Sequence, residues 1–477
     1  MTRPFTLLIA CLVTQFSFAQ SWQYTITLSP ERVHVSLSVK GNHTDSLAFK
    51  MPTWTPGYYQ HIAFPSRVSN FKAYNEKDTL PRNGWTIKAP ENFTLEYDVR
   101  ADSDFVAAVY VDSHRATLNL TGICMYADIH QPVSLKVITP AGWSAATGMD
   151  KKGDYFQAPN FDILYDSPLL CGHLDSLPAF KVRGIPHYFV GLGFADFDRT
   201  AFINDMQKII SIGVNIIGDI PYKHYTFLDI GNGHGGIEHL NSTTVTFTGQ
   251  HMDNRETRLR YYSFLAHEYF HHYNVKRIRP IELGPFDYQN GNKTKMLWVA
   301  EGLTVYYEYL IVHHAGLSTA SECLQQFRSS LMAYETKTGK LHQSLTQASW
   351  ETWAEGPFGG DGISYYDKGP LIGLLLDLQI RQATQNKKSL DDVMRGLYKK
   401  YYQQLHRGYT ETEFQNMCED IAGMKLNDLF QYTSTTKEVD YNKYLAYAGL
   451  RLEPGTYEFK TIAHPTPMQQ TIYHSIF

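Results

Sequence analysis

From Trp22 to about Phe180, apolar and polar residues alternate with period two, the pattern of strands buried on one face. Tyr24-Thr25-Ile26-Thr27-Leu28, Val33-His34-Val35-Ser36-Leu37-Ser38-Val39 and Phe93-Thr94-Leu95-Glu96-Tyr97-Asp98-Val99 are the clearest runs, separated by turns rich in Pro and Gly. An all-β sandwich accounts for the stretch. Pro52-Thr53-Trp54-Thr55-Pro56-Gly57-Tyr58-Tyr59 is a rigid aromatic loop, expected to cover a core rather than line a cleft. After about Val182 the texture becomes mixed. Strands are expected at His187–Leu192, Tyr225–Ile230 and Thr243–Phe247, with a helix over Ala201–Ile212. Gly231, Gly233, Gly235 and Gly236 make a tightly turned segment before Ile237-Glu238-His239-Leu240.

Helical periodicity then dominates. Helices are predicted over about Asn254–Tyr273 and Met296–His313, then Thr319–Tyr334, Leu371–Thr384, Leu390–Gln403 and Thr412–Ala422. Trp353–Ile363, with four glycines, is expected as a loop near a pocket, and the tail from Thr433 as strand and loop. These shifts divide the chain at 20–180, 181–325, 326–430 and 431–477.

A chain of 477 residues exceeds one ordinary core. The 43 basic residues against 47 acidic ones give no support for nucleic-acid binding. Residues 1–19 have the composition of an export signal: Arg3, an apolar run over Phe5–Val13, and Ser17-Phe18-Ala19 before a cleavage point. The expected product is periplasmic or secreted and starts at Gln20, with lipid anchoring at Cys11 as the alternative. No later apolar run is long enough to span a membrane. Cys124, Cys171, Cys323 and Cys418 lack the close spacing of a thiolate metal site, and four separate buried thiols are expected rather than two disulfides.

The chemistry concentrates at His267-Glu268-Tyr269-Phe270-His271. Positions i and i+4 share a helical face, so both imidazoles can grip one ion, while Glu268 can face the open coordination position and take a proton from water. Glu301, 30 residues past His271, supplies a third ligand on the next helix, with Gly302 expected to let that helix approach the first. The competing reading is a surface histidine pair. The apolar, aromatic setting of the motif argues against it, because buried imidazoles need partners. His272 points to the other side of the helix.

With these residues in hand, the chain resembles the glycyl aminopeptidase family of gluzincin metallopeptidases. The resemblance covers His267–His271, Tyr273-Asn274-Val275-Lys276-Arg277-Ile278-Arg279-Pro280, Pro285-Phe286-Asp287-Tyr288 and Leu297–Tyr307, with weaker likeness from Trp54-Thr55-Pro56-Gly57 to Leu445–Leu450. It implies a multidomain α+β fold: an N-terminal β-sandwich, a thermolysin-like zinc peptidase domain and a C-terminal helical domain. It implies one zinc ion on His267, His271 and Glu301, with Glu268 as base. Gly235-Gly236-Ile237-Glu238-His239 resembles the segment along which substrate backbone aligns, with Glu238 binding the free α-ammonium. Tyr365-Tyr366-Asp367-Lys368-Gly369 resembles the segment carrying a transition-state tyrosine; alignment selects Tyr366, with Tyr365 as the local rival. Asn274, Arg277 and Arg279 are expected as ion-pairing and polar support. Larger members carry a PDZ-like domain for which 27 residues after Leu450 leave no room.

The implied activity is removal of an amino-terminal residue, favouring Gly or Ala, from peptides with a free N-terminus. A zinc endopeptidase and a noncatalytic peptide-binding protein are the alternatives. Oligomeric state is not legible.

Overall fold

The alternating segments form strands because their apolar faces meet a common core. In a computed structural model, which describes residues 20–477, Tyr24, Ile26, Val33, Val35, Leu37 and Val39 are fully buried on the paired strands Ser21–Ser29 and Arg32–Lys40. The segment expected to be an export signal and Cys11 lie outside the described residues. Ser21–Ser29 is central in a seven-stranded sheet, parallel to Val133–Ile138 on one side and antiparallel to Arg32–Lys40 on the other. A four-stranded sheet (Val109–Val111, Arg115–Leu118, Ser144–Ala146, Leu169–Gly172) shares the core. The result is a β-rich N-terminal domain followed by a mixed and then helical region, a multidomain α+β fold. The four cysteines are buried free thiols.

The second region begins with Ile185–Gly191, Tyr225–Asp229 and Ser242–Val245, paired in parallel, with Gly236–Glu238 added antiparallel at the edge. Helices Arg199–Ile217 and Arg255–Phe270 pack beside this sheet. Phe189 and Phe227 stack 5.2 Å apart, Phe202 and Phe247 5.1 Å apart. The helix Arg199–Ile217 is opened by Asp198, whose side chain accepts from the Ala201 N–H, and closed by Gly218 at φ +95°.

Several expectations fail in the helical part. A helix at Leu345–Glu355 occupies the start of the expected Trp353–Ile363 loop, leaving only the glycine-rich end irregular. The next helix starts at Tyr365, not Leu371, and carries Pro370 inside it. Proline removes one donor and reads as a start signal, but the buried Leu371–Ile380 face holds the helix through it. The expected Leu390–Gln403 helix is an α-helix to Leu397 and a π-helical turn from Tyr398 to Gln404. The tail is not strand and loop alone. It holds helices Asn427–Ser434, Tyr441–Leu445 and Pro467–Ile476, besides the strand pair Leu450–Leu452 and Phe459–Thr461. These helices are too short to show a period; caps such as Asp440 and the Thr466/Gln469 capping box define them instead. Among the described residues no helix is long and apolar enough to cross a membrane.

Candidate active site

The helix Arg255–Phe270 opens at Asn254, whose side chain accepts from the Thr257 N–H at 2.9 Å. Its second half is buried on most sides, Tyr262, Leu265, Ala266, Tyr269 and Phe270 among them. His267 therefore sits in the interior. His271 stands one residue past the helix end, yet its backbone remains helical (φ −59°, ψ −25°), which preserves the i, i+4 register. The two Nε2 atoms are 2.8 Å apart. Glu301 Oε2 lies 3.1 Å from His271 Nε2 and 3.6 Å from His267 Nε2.

The partners on the other ring nitrogens fix the tautomers. His267 Nδ1–H donates to Glu308 Oε2 at 2.7 Å, and His271 Nδ1–H to the Asn274 carbonyl at 2.6 Å. Both Nε2 lone pairs then point at one another and at a carboxylate oxygen, which is repulsive unless a cation lies among them. Donors about 2.0–2.2 Å from a tetrahedral ion stand about 3.3 Å from each other, and the observed spacing brackets that value. The donor set fits a divalent ion with one position left open, and two imidazoles plus a carboxylate suit zinc. Burial opposes charge on His267, but the Glu301 and Glu308 carboxylates beside it raise its pKa. Burial likewise opposes charge on Glu301, while His271 and His267 hold its carboxylate well below the usual range.

Glu301 lies in a π-helical turn, Trp298–Gly302, ahead of the helix Leu303–His314. A π-turn leaves carbonyls without their usual partners. Asn274 Nδ2 supplies them, donating to the Val299 carbonyl at 2.8 Å and the Ala300 carbonyl at 3.2 Å. The close approach expected of Gly302 is real, but its partner is not the motif helix. A Cβ at 302 would lie 2.6 Å from the Gly369 Cα, and one at 369 would lie 2.5 Å from the Gly302 Cα. That contact seats the helix Tyr365–Ala383 on the Glu301 turn. Tyr366 O–H then donates to Glu301 Oε2 at 3.1 Å, whereas Tyr365 O–H pairs with Thr352 Oγ1 at 3.2 Å. Of the two tyrosines, Tyr366 faces the donors.

Glu268 is buried beside the edge strand. Thr243 Oγ1–H donates to its Oε2 at 3.4 Å, and a Cβ at Gly236 would lie 2.5 Å from its Oε1. Only glycine fits at 236 with the carboxylate where it is. Burial pushes the Glu268 carboxyl up, to about 7, with Glu238 and Glu301 adding repulsion and the two histidines opposing it. Gly235 has φ +85°, a left-handed turn that presents the strand edge.

Glu238 ends that strand, 4% exposed. Among the described residues no protein group donates a hydrogen bond to its carboxylate. The aromatic loop, expected as a core cover, reaches the site: a Cβ at Gly57 would lie 3.0 Å from Glu238 Oε2, and Tyr59 O–H donates to Glu301 Oε1 at 3.2 Å. Trp54 is the part that fills the core. Tyr59, Gly57 and Glu308 were missed by sequence reasoning. Glu308 had a signal, since seven residues past Glu301 is two helical turns; Tyr59, 242 positions from its partner, had none.

Asn274 and Arg277 are supports, as expected, but not through ion pairs. Arg277 donates to the His272, Leu240 and Pro221 carbonyls at 2.7, 3.0 and 3.2 Å. His272 is buried away from the donors, its ring 5.0 Å from that of Tyr222. A cavity of about 920 Å³ opens beside His267, Glu268 and Tyr366, with Gly235, Gly236 and Phe358 on its wall. Phe358 is 70% exposed and stacks on Tyr366 at 5.3 Å. The expected glycine-rich loop thus borders a pocket.

The β-rich unit, the two-helix frame and the three-donor cluster define a metallopeptidase. A family model described as M61 glycyl aminopeptidase matches residues 260–372, and one described as the peptidase M61 N-terminal domain matches residues 23–173. Together they cover more than half of the chain, which belongs to the M61 glycyl aminopeptidase family and is a peptide hydrolase. The chain is similar to a solved aminopeptidase N family protein from Idiomarina loihiensis, at 26% identity over 91% of this chain and 79% of that one, with a TM-score of 0.85. An M1 zinc metallopeptidase from Deinococcus radiodurans shares the fold at 12% identity, covering 88% of this chain and 96% of that one, TM-score 0.54. A variant of the Deinococcus enzyme bound to a Tyr-Ser-Ala substrate aligns at 13% identity over 88% and 95% of the two chains, TM-score 0.54. No curated protein sequence matches the chain.

Proposed function

We propose that the protein is a zinc-dependent aminopeptidase that removes the first residue of peptides, with small residues such as Gly or Ala preferred. His267, His271 and Glu301 hold one ion. When bound, zinc supplies Lewis acidity, polarising the scissile carbonyl and making water a better nucleophile near neutral pH. The reading rests on Glu238: a buried carboxylate with no protein donor among the described residues, one strand residue removed from the glycine that abuts Glu268. Such a group wants a cation, and a substrate ammonium is the cation an aminopeptidase must bind.

Glu238 pairs with the ammonium, and the backbone at Gly235 and Gly236 lies along the peptide. Glu268 Oε takes the proton of the attacking water and passes it to the leaving nitrogen. Tyr366 O–H donates to the carbonyl oxygen as it gains charge. Tyr59 holds the far oxygen of Glu301 in place. The preference for small first residues is supported by the match to the glycyl aminopeptidase family. Export is read from residues 1–19 alone; N-terminal sequencing of enzyme recovered outside the cytoplasm, starting at Gln20, checks it. For the activity, free-amine and N-acetylated peptides are compared with and without chelator. Cleavage of the first bond in free peptides alone, abolished by chelator, is expected. Equal cleavage of both forms indicates an endopeptidase, and no cleavage by folded, zinc-loaded protein indicates a binding protein.

A further inference from the structure

The basic run Lys276-Arg277-Ile278-Arg279 has no part in the chemistry above, yet its three cations line one cavity of about 380 Å³. Asp162 of the N-terminal domain and His406 and Arg407 of the helical region complete its wall, so all three parts of the chain meet there.

The charges in this cavity do not cancel. Lys276 Nζ is 2.6 Å from Asp166, which also accepts from the Leu240 N–H at 2.7 Å, so that pair is closed. Arg407 is bidentate to Glu413 at 2.7 and 2.8 Å. Asp162 accepts from the neutral Tyr288 O–H at 2.8 Å, and its charge acts on Arg279 through space without a direct contact. Arg277 meets carbonyls, with Tyr402 O–H 3.4 Å from its Nε, and no carboxylate. Arg279 has less. Among the described residues its guanidinium finds no hydrogen-bond acceptor and no carboxylate within 4.0 Å.

Nor is it free to swing away. A Cβ at Gly284 would lie 2.5 Å from the Arg279 Cζ, and the Phe286 ring is 5.6 Å from that atom on another side. A guanidinium carries five N–H donors; Arg279 is half-buried and its donors are left to water, which an anion of matching shape can displace. Its planar fork matches two oxygens of one anion.

We propose that this cavity is a binding site for a small oxyanion, a phosphate or a carboxylate, held by Arg279 and Arg277. The occupant joins the N-terminal domain, the segment after His271 and the segment 402–407, which runs out of the π-helical turn. The anion therefore stabilises the assembled chain in proportion to its concentration.

The test uses the full-length, metal-loaded enzyme. Thermal unfolding is followed against inorganic phosphate and, separately, acetate, each compared with sodium chloride at equal ionic strength. A saturable rise in Tm of roughly 3 °C or more is expected from at least one of the two; phosphate alone or acetate alone identifies the class of anion. Arg279→Gln should lose the rise while keeping peptide cleavage, and Arg279→Lys, which keeps the charge but not the planar fork, should shift the midpoint several-fold higher. Should Arg279→Gln not fold, the Arg279→Lys midpoint decides, and an unchanged midpoint overturns the proposal. A Tm that follows ionic strength alone overturns it. Full retention of the rise in Arg279→Gln overturns it too, since the anion then binds away from Arg279.

Discussion

The site has two halves built on opposite principles. On the metal side, His267, His271, Glu301 and Glu308 come from two packed helices, and each imidazole has a fixed partner on the nitrogen that faces away from the ion. On the substrate side, Gly57 comes from an N-terminal loop, Gly236 and Glu238 from a sheet edge and Tyr366 from the helical region. Its key carboxylate has no donor among the described residues. In the proposed reading, one half awaits only its cation and the other is shaped around groups that a substrate must bring. Glu301, a metal donor in that reading, joins them: its two oxygens receive Tyr59 from before it in the chain and Tyr366 from after it.

Mutations should separate the halves. The largest effect is expected from Glu268→Gln, which keeps the shape but cannot accept a proton: kcat should fall about 10³-fold or more, with one metal per chain still bound by atomic absorption. Full activity would remove Glu268 from the mechanism. Glu238→Ala should lower kcat/KM on free-amine peptides by about 10²–10³-fold, with metal content unchanged. Tyr366→Phe should cost about 10²-fold in kcat, against a few-fold at most for Tyr365→Phe; a reversal would exchange their roles. On the metal side, Glu308→Gln should weaken metal binding about 10–100-fold in competition with a chelator, while kcat at saturating zinc changes less.

The smallest expected effect is on stability. Asp229 Oδ1 accepts from the Gly231 and Phe247 N–H groups, tying the start of the glycine-rich segment to the chain just past the strand Ser242–Val245. Burial pushes its carboxyl up to about 7. A carboxyl raised above its unfolded value supports the fold fully below the ordinary carboxylate range, and that support is lost as pH rises through about 7. Thermal scans from pH 4 to 8 should show Tm falling over this window, with the slope reduced in Asp229→Asn. An identical slope in both would assign the pH dependence elsewhere.

The metal half was legible because its residues are close in sequence and helical spacing converts directly into shared direction. His267, Glu268 and His271 needed no tertiary information. Glu301 needed only the next helix, although its π-turn was invisible without the carbonyls that Asn274 caps. The substrate half gave local hints in Gly235, Gly236 and Tyr366, but their convergence depends on contacts between separate elements tens of positions apart. Nothing near Tyr59 announces Glu301, and the Gly302–Gly369 contact that aims Tyr366 could not be read from either glycine. The β-rich region was legible through its period of two. The tail was not, because a helix of five to ten residues is defined by its caps and one or two buried side chains rather than by a repeat.

The most direct test of the central claim compares kcat/KM on two peptides identical except for an N-acetyl group, using zinc-loaded wild-type and Glu238→Ala enzyme. Wild type should strongly prefer the free amine, and Glu238→Ala should lose most of that preference without losing metal. Equal turnover of both peptides by wild type, or an undiminished preference in the variant, would contradict the account.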